Sequence, residues 1–195
     1  MKNNLKSKNQ IEEVIVEVAL KIAKRGEGAL FVIGEVDYET LVDQNIPSFK
    51  IVNNPKLLES LALMDGAIII NKDGFLKAYG AMIKSTSILK NFGTRHSAGV
   101  TASKNSKNFV AIVSEEDKKI RILREGKIVM QIDALQKDIE KSVSQVVKLL
   151  ESIGAGTIGT VGASILVPSW GLALLPGVII FGSTYYLSKF LLNKN

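Results

Sequence analysis

Residues 1–131 predict an α/β domain with a central mixed β-sheet flanked by helices, followed by a hydrophobic helical segment at the C-terminus. Three observations carry this expectation. Helix-spaced and strand-like apolar runs alternate along the first 130 residues. The runs at 29–33, 67–70 and 109–113 are continuously apolar, as in strands covered on both faces. From Ser152 to Ser188 no residue is charged, a stretch longer than the roughly 20 residues that span a bilayer.

Taken in order, residues 11–24 read as an amphipathic helix. Ile11, Val14, Ile15, Val18 and Ile22 recur at helical spacing, with Glu12, Glu13, Glu17 and Lys21 off that face. Gly26 and Gly28 end the helix, and the strand 29–33 follows. Residues 38–44 read as a short helix or turn, and 49–52 as an edge strand. Asn53, Asn54 and Pro55 mark the start of an apolar helix over 56–64. The strand 67–71 turns at Lys72-Asp73-Gly74 into a second strand, 75–82. Residues 83–92 are expected as a loop with a helical portion, and 97–103 as a helix. Strands at 109–113, 120–123 and 127–131 are separated by turn sequences at Asp117-Lys118-Lys119 and Arg124-Glu125-Gly126.

Residues 132–152 form a connecting region whose 133–152 portion reads as a charged amphipathic helix. Ile132, Leu135, Ile139, Val146, Leu149 and Ile153 approximate a heptad seam. That seam either packs on the sheet domain or the next segment, or forms a dimer. Residues 153–190 are expected to enter a membrane. Pro168-Ser169-Trp170-Gly171 divides the charge-free run into 152–167 and 172–188, with Trp170, Tyr185 and Tyr186 suited to membrane interfaces. A helical hairpin, one long tilted span and a water-soluble hairpin docked on a partner all fit this pattern.

Composition excludes some chemistry. The 195 residues contain no cysteine and one histidine, so disulfides, thiolate sites and multi-histidine zinc centres are excluded. The net charge of +6 comes from scattered lysines with no aromatic-interleaved basic stripe, so no nucleic-acid partner is expected. Residues 1–10 are polar and lack the apolar stretch of a secretory signal. The domain is therefore expected in the cytoplasm, at the cell membrane through its tail.

Three short stretches carry chemistry. Asp65-Gly66-Ala67 sets an acid before a buried strand. Gly93-Thr94-Arg95-His96 offers a hydroxyl, a guanidinium and an imidazole in a row, and Ser114-Glu115-Glu116 closes the strand 109–113. An acid can hold a metal or take a proton from a sugar hydroxyl. Arginine, threonine and backbone N–H groups can hold phosphate oxygens. Nucleotidyl transfer is the reaction class this set suggests. By contrast, Gly154-Ala155-Gly156-Thr157-Ile158-Gly159 matches the dinucleotide fingerprint only formally. It follows a charged helix rather than a strand, and close helix contact through small residues explains it better.

These stretches, with Arg25-Gly26-x-Gly28-Ala29-Leu30, Asp65-Gly66-Ala67-Ile68-Ile69-Ile70 and Val113-Ser114-Glu115-Glu116 in their order and spacing, resemble the catalytic domain of the diadenylate cyclases over about residues 10–130. The resemblance implies that domain's fold and the condensation of two ATP into cyclic di-AMP and two pyrophosphates. Two copies would face each other, and each 3′-hydroxyl would attack the α-phosphate of the other ATP. Asp65 would orient or deprotonate the hydroxyl and, with Glu116, place a divalent metal (Mn²⁺ or Mg²⁺). Gly66 and Ala67 would let the backbone approach the ribose. Gly93, Thr94, Arg95 and His96 would bind the triphosphate and stabilise the leaving pyrophosphate, and Ser114 would add a phosphate hydrogen bond.

The chain departs from the family's pattern in three places. Ser97 stands where relatives carry a second arginine, Met64 where many carry a histidine, and Lys84-Ser85-Thr86 where a proline-leucine-serine stretch is usual. Lys84 is a candidate replacement for the missing charge. A catalytically weak nucleotide-binding module with a membrane or oligomerisation tail is the alternative these departures raise. The apolar segment is C-terminal, whereas the best-known membrane cyclases carry theirs before the domain. DNA scanning is not expected, for lack of a helix-hairpin-helix segment.

Overall fold

Continuously apolar strands must be covered on both faces, and the architecture supplies that cover. The structure is a computed structural model that describes residues 2–84, 93–154 and 175–180. Its strands are β1 (Ala29–Ile33), β2 (Tyr38–Thr40), β3 (Ala67–Ile70), β4 (Leu76–Ile83), β5 (Phe109–Val113), β6 (Lys119–Arg124), β7 (Lys127–Asp133) and β8 (Val178–Ile180). They form one sheet in the order β2-β4-β3-β1-β5-β6-β7-β8. β1 and β3 run parallel, and the other neighbours are antiparallel. Helix α1 (Lys2–Arg25), α2 (Pro55–Ala62) and α4 (Val143–Gly154) lie on one face and α3 (Thr94–Ser103) on the other.

The period-2 alternation of side chains splits each central strand between two cores. Ala29, Phe31, Ile33, Ile68, Ile70, Phe109, Ala111 and Val113 face α1, α2 and α4. Leu30, Val32, Ala67, Ile69, Val110 and Ile112 face α3. The expected mixed sheet with double cover is therefore present. Gly26, at a φ of +79°, closes α1, its N–H bonding to the Ala23 carbonyl. Pro55 opens α2 at its first turn. Glu125 and Gly126, both at positive φ, form the two-residue turn between β6 and β7, where Arg124 pairs with Lys127.

Several elements differ from expectation. Residues 38–40 are an edge strand, not a helix or turn. Tyr38-Glu39-Thr40 pairs with Ile83, Met82 and Ala81, and the Gln44 side chain ties the following loop to the Tyr79 backbone. The expected strand 49–52 reduces to one bridge, Lys50 to Phe75, after which Ile51–Asn53 turns into a 3-10 helix. The start of α2 at Pro55 leaves no room for a ladder there. α3 begins at Thr94 rather than Ser97. The single helix expected over 133–152 is broken: Asp133 caps a turn through the Leu135 N–H, and Asp138 is left-handed at a φ of +62°. A 3-10 turn, Ile139–Ser142, then leads into α4. Leu135, placed on the seam by its spacing, is exposed, while Val143, Val146, Val147 and Leu150 are buried. The face of α4 packs into the core that α1 lines, one of the two readings of the seam. Glu12, expected on the polar face of α1, is fully buried.

Part of the charge-free C-terminal run is also described. Val178–Ile180 pairs antiparallel with β7, so these three residues are sheet and the stretch 172–188 is not one continuous helix. Residues 155–174 and 181–195 lie outside the described residues, and with them most of the expected membrane segment and of the glycine pattern at 154–159. Among the described residues no helix is long and apolar enough to cross a membrane.

Candidate active site

Strand register brings the sequence motifs to one edge of the sheet. Phe31 lies beside Ile68, and Ala29 beside Val113. Carried to the strand ends, the same registers set Gly28, Asp65 and Ser114 level on three adjacent strands. This edge is the N-terminal end of β1 and β3 and the C-terminal end of β5, so the doubly wound rule of carboxyl strand ends does not describe it.

Arg95, in the first turn of α3, joins the motifs. Its Nη1 donates to Glu115 Oε2 at 3.2 Å, and its Nη2 lies 3.8 Å from Asp65 Oδ1. The Asp65 side chain is 95% exposed at the rim, whereas Arg95 retains 34% of its surface. Gly28 makes room for this guanidinium: a Cβ there would lie 2.5 Å from Arg95 Nη1 and 3.4 Å from Glu115 Oε2. The N-cap of α3 is Gly93, with no side-chain cap, and Gly93 and Thr94 are exposed. The first turn of α3 thus presents backbone N–H groups and the positive end of the helix dipole beside Arg95.

α3 is seated firmly. Gly99 allows the helix to approach β5, since a Cβ there would lie 2.6 Å from Ile112 Cδ1. At the far end, the Asn108 amide donates to the carbonyls of Ala102 and Glu35 and accepts from the Glu35 N–H.

A second group surrounds the imidazole. His96 Nε2 lies 3.4 Å from Arg121 Nη1 on β6, and Arg121 grips Asp117 with both Nη atoms. Burial, and then the Arg121 charge, hold the His96 pKa below its ordinary value of 6.5, against the weaker opposite pull of Asp117 and Glu116. Burial alone would raise the Asp117 carboxyl. Hydrogen bonds from Arg121 and Ser114 and the Arg121 charge outweigh it and hold the group below its ordinary value.

The site residues expected from sequence do not all stand alike. Asp65, Gly93, Thr94, Arg95 and His96 gather at the edge. Ser114 is buried there and engages Asp117. The Ala67 side chain is buried in the α3-side core, so only its backbone could face a ligand. Gly66 is required by packing: at a φ of +103°, its Cβ would lie 2.6 Å from the carbonyl carbon of Gly80 on β4. Glu116 is exposed, and among the described residues no three Asp, Glu or His side chains converge as a metal cluster. The donor chemistry of Asp65 and Glu116 still suits Mg²⁺ or Mn²⁺, hard ions that take one or two carboxylates and complete their shell with substrate phosphates and water. Lys84 pairs with Glu39 on the edge strand at 2.6 Å. Ser97 is buried. Arg25 pairs with Glu59 and joins α1 to α2.

Glu115, Asp117 and Arg121 were not expected as site residues. Glu115 lies within the Ser114-Glu115-Glu116 stretch but was given no role of its own, and the Asp117–Arg121 pair spans a turn whose shape no local pattern reveals.

An α/β domain that sets a guanidinium, an imidazole, carboxylates and an uncapped helix N-terminus at one sheet edge is equipped to bind nucleotides. The chain belongs to the DisA bacterial checkpoint controller nucleotide-binding family, whose model matches residues 16–128. It is 28% identical over 139 residues to a diadenylate cyclase of Haloferax volcanii, covering 61% of this chain and 51% of that protein. It is also 28% identical over 153 residues to a diadenylate cyclase of Methanocaldococcus jannaschii, covering 66% of this chain and 47% of that one. The chain therefore spans about half the length of these curated relatives. DacA from Staphylococcus aureus, solved as a double mutant, shares the fold with a TM-score of 0.51 at 24% identity, over 79% of this chain and 98% of that one.

Proposed function

We propose that this protein is a diadenylate cyclase that condenses two ATP into cyclic di-AMP and two pyrophosphates. The observation that carries the reading is Arg95, which ties Asp65 and Glu115 into one group beside the N-terminus of α3. In this reading Thr94, Arg95, His96 and the first-turn N–H groups hold the triphosphate and stabilise the charge that develops on the departing pyrophosphate. Gly66 and the Ala67 backbone line the ribose side. Ser114 acts through Asp117.

Asp65 takes the proton of a 3′-hydroxyl. The O3′–Pα bond then forms as the bond to the β-phosphate bridging oxygen breaks. The exposure of Asp65 at the rim favours its acting on a nucleotide held by a second copy, face to face, so that neither copy is complete alone. Positioning two nucleotides supplies much of the acceleration in such a reaction. Asp65 and Glu116 would hold a divalent ion, Mn²⁺ or Mg²⁺, whose charge would neutralise phosphate oxygens.

Mass spectrometry of the product formed from ATP with either ion tests the proposal. Cyclic di-AMP is expected from the wild type, and about a hundredfold less or lower from Asp65→Ala and Arg95→Ala. Equal yields from all three proteins would end it. A second reading, a nucleotide-binding module with weak turnover, is favoured by the burial of Ser97 and the engagement of Lys84 by Glu39, which leave fewer cations for phosphate. Calorimetric ATP binding without product would establish that reading instead. The charge-free run from Ser152 to Ser188 supports attachment to a membrane. Sedimentation of the full chain with lipid vesicles checks this, and protein left in the supernatant excludes it.

A further inference from the structure

We propose that Arg121, gripped by Asp117, is a positioning residue that fixes the ring orientation and tautomer of His96. The use made of that ring at the phosphates rests on the cyclase reading above.

The geometry comes from β6 and the turn before it. The Arg121 side chain is only 12% exposed. Its two Nη atoms take the two oxygens of Asp117 in a fork, Nη1 to Oδ1 at 3.2 Å and Nη2 to Oδ2. Such a fork restrains the guanidinium in plane and direction. Asp117 is fixed in turn, by the Lys119 N–H at 3.3 Å and by Ser114. The next residue, Lys118, holds a left-handed φ of +53°, which sets the turn that brings Asp117 under Arg121.

The consequence is for His96. Nη1 bears two hydrogens. One goes to Asp117, and the other is directed at His96 Nε2, 3.4 Å away. A guanidinium has no acceptor, so Nε2 must accept. The neutral ring then carries its proton on Nδ1. Arg121 thereby favours the tautomer of His96 that carries its proton on Nδ1, and orients the ring by a side chain from β6. It also brings a cation to the imidazole from β6, at a site where the neighbouring helix position, Ser97, is a buried hydroxyl.

His96 is the only histidine in the sequence, so imidazole nitrogen resonances in isotope-labelled protein report this ring alone. In the wild type, with the ring neutral, Nδ1 is expected to be protonated and Nε2 bare. In Arg121→Gln the pattern is expected to move toward the Nε2–H form while the backbone amide spectrum stays dispersed. Arg121→Lys keeps the charge without the fork, and Asp117→Asn loosens the grip; both are expected to move the pattern in the same direction. Cyclic di-AMP turnover should fall about tenfold in Arg121→Gln, a common loss when the partner that orients a functional histidine is removed. A wild type protonated at Nε2, or a pattern unmoved in all three variants, overturns the proposal. If the tautomer moves as expected but the wild type makes no cyclic di-AMP, the cyclase reading fails and the positioning of His96 stands.

Discussion

Gly28 shows how little of a site a single residue reveals until its neighbours are known. Its φ lies outside the left-handed region, so the backbone places no demand for glycine. The demand comes from Arg95, 2.5 Å from where a Cβ would sit. That contact is with the end of a flexible side chain, so in Gly28→Ala the guanidinium should give way and the fold should not. The melting temperature is expected to stay near that of the wild type while cyclic di-AMP formation falls about a hundredfold, the cost of misplacing a catalytic group by about 1 Å. Unchanged turnover would separate Gly28 from the site. Gly66 is the same residue type with the opposite reason, a left-handed backbone pressed on Gly80. The sequence places both glycines in motifs. It shows neither reason, because each lies in a strand or helix distant along the chain. Asp65, Thr94, Arg95 and His96 were legible because they cluster in short runs of unusual composition. Arg121 was not, because a lone arginine on an amphipathic strand is ordinary until its partner is known.

Among the elements, α3 matters most, because its first turn carries Thr94, Arg95 and His96 and its middle decides where that turn sits. Gly99 lies against Ile112 and Leu30. In Gly99→Ala the added methyl meets Ile112 Cδ1 at 2.6 Å. Overpacking of this kind costs about 1–3 kcal/mol, partly offset by the roughly 1 kcal/mol that alanine gains over glycine in a helix. The variant should therefore be destabilised by about 1 kcal/mol and should lose activity as the first turn is lifted. Ile112→Val removes Cδ1. The double variant Gly99→Ala/Ile112→Val is expected to be more stable than the sum of the single changes, in denaturant unfolding read as a double-mutant cycle. Strict additivity would show that the helix does not bear on Ile112. The elements legible in advance were those written in local periodicity: α1 from Ile11 onward, though not its polar start at Lys2, the central strands, and the turns at Asp73-Gly74 and Glu125-Gly126. Tyr38–Thr40 and Val178–Ile180 were missed because an edge strand of three residues has too short a pattern, and its identity comes from pairing with β4 or β7.

At the scale of the whole molecule, alternation and apolar runs sufficed for a mixed sheet with two covered faces. The strand order did not follow from them, because it depends on which distant strands pair, and with it went the knowledge that the site lies at the N-terminal ends of β1 and β3. The same long-range packing buries Glu12 where α1, α4 and β6 meet. Neither carboxylate oxygen has a hydrogen bond, and Glu151 Oε1 on α4 is also buried without one. Lys8 at 3.6 Å and Arg124 at 3.8 Å approach Glu12 without the geometry of a hydrogen bond. Burial raises the Glu12 pKa above its ordinary 4.5, and Glu151 adds to the rise, while Lys8 and Arg124 oppose it. A carboxyl whose pKa is higher in the folded state binds its proton more tightly there than in the unfolded chain. Its contribution therefore favours folding at low pH, weakens as pH rises from about 4.5 through the folded-state pKa, and is constant above it. Other groups, His96 among them, add their own slopes, so the comparison must be with a variant. Melting temperatures of the wild type and Glu12→Gln across a series from about pH 4 to about pH 8 should diverge as pH rises, the wild type losing ground relative to Glu12→Gln only within that window. A difference between the two proteins that does not change with pH would mean that the buried carboxyl titrates as it does in the unfolded chain, and that Lys8 and Arg124 compensate its burial fully.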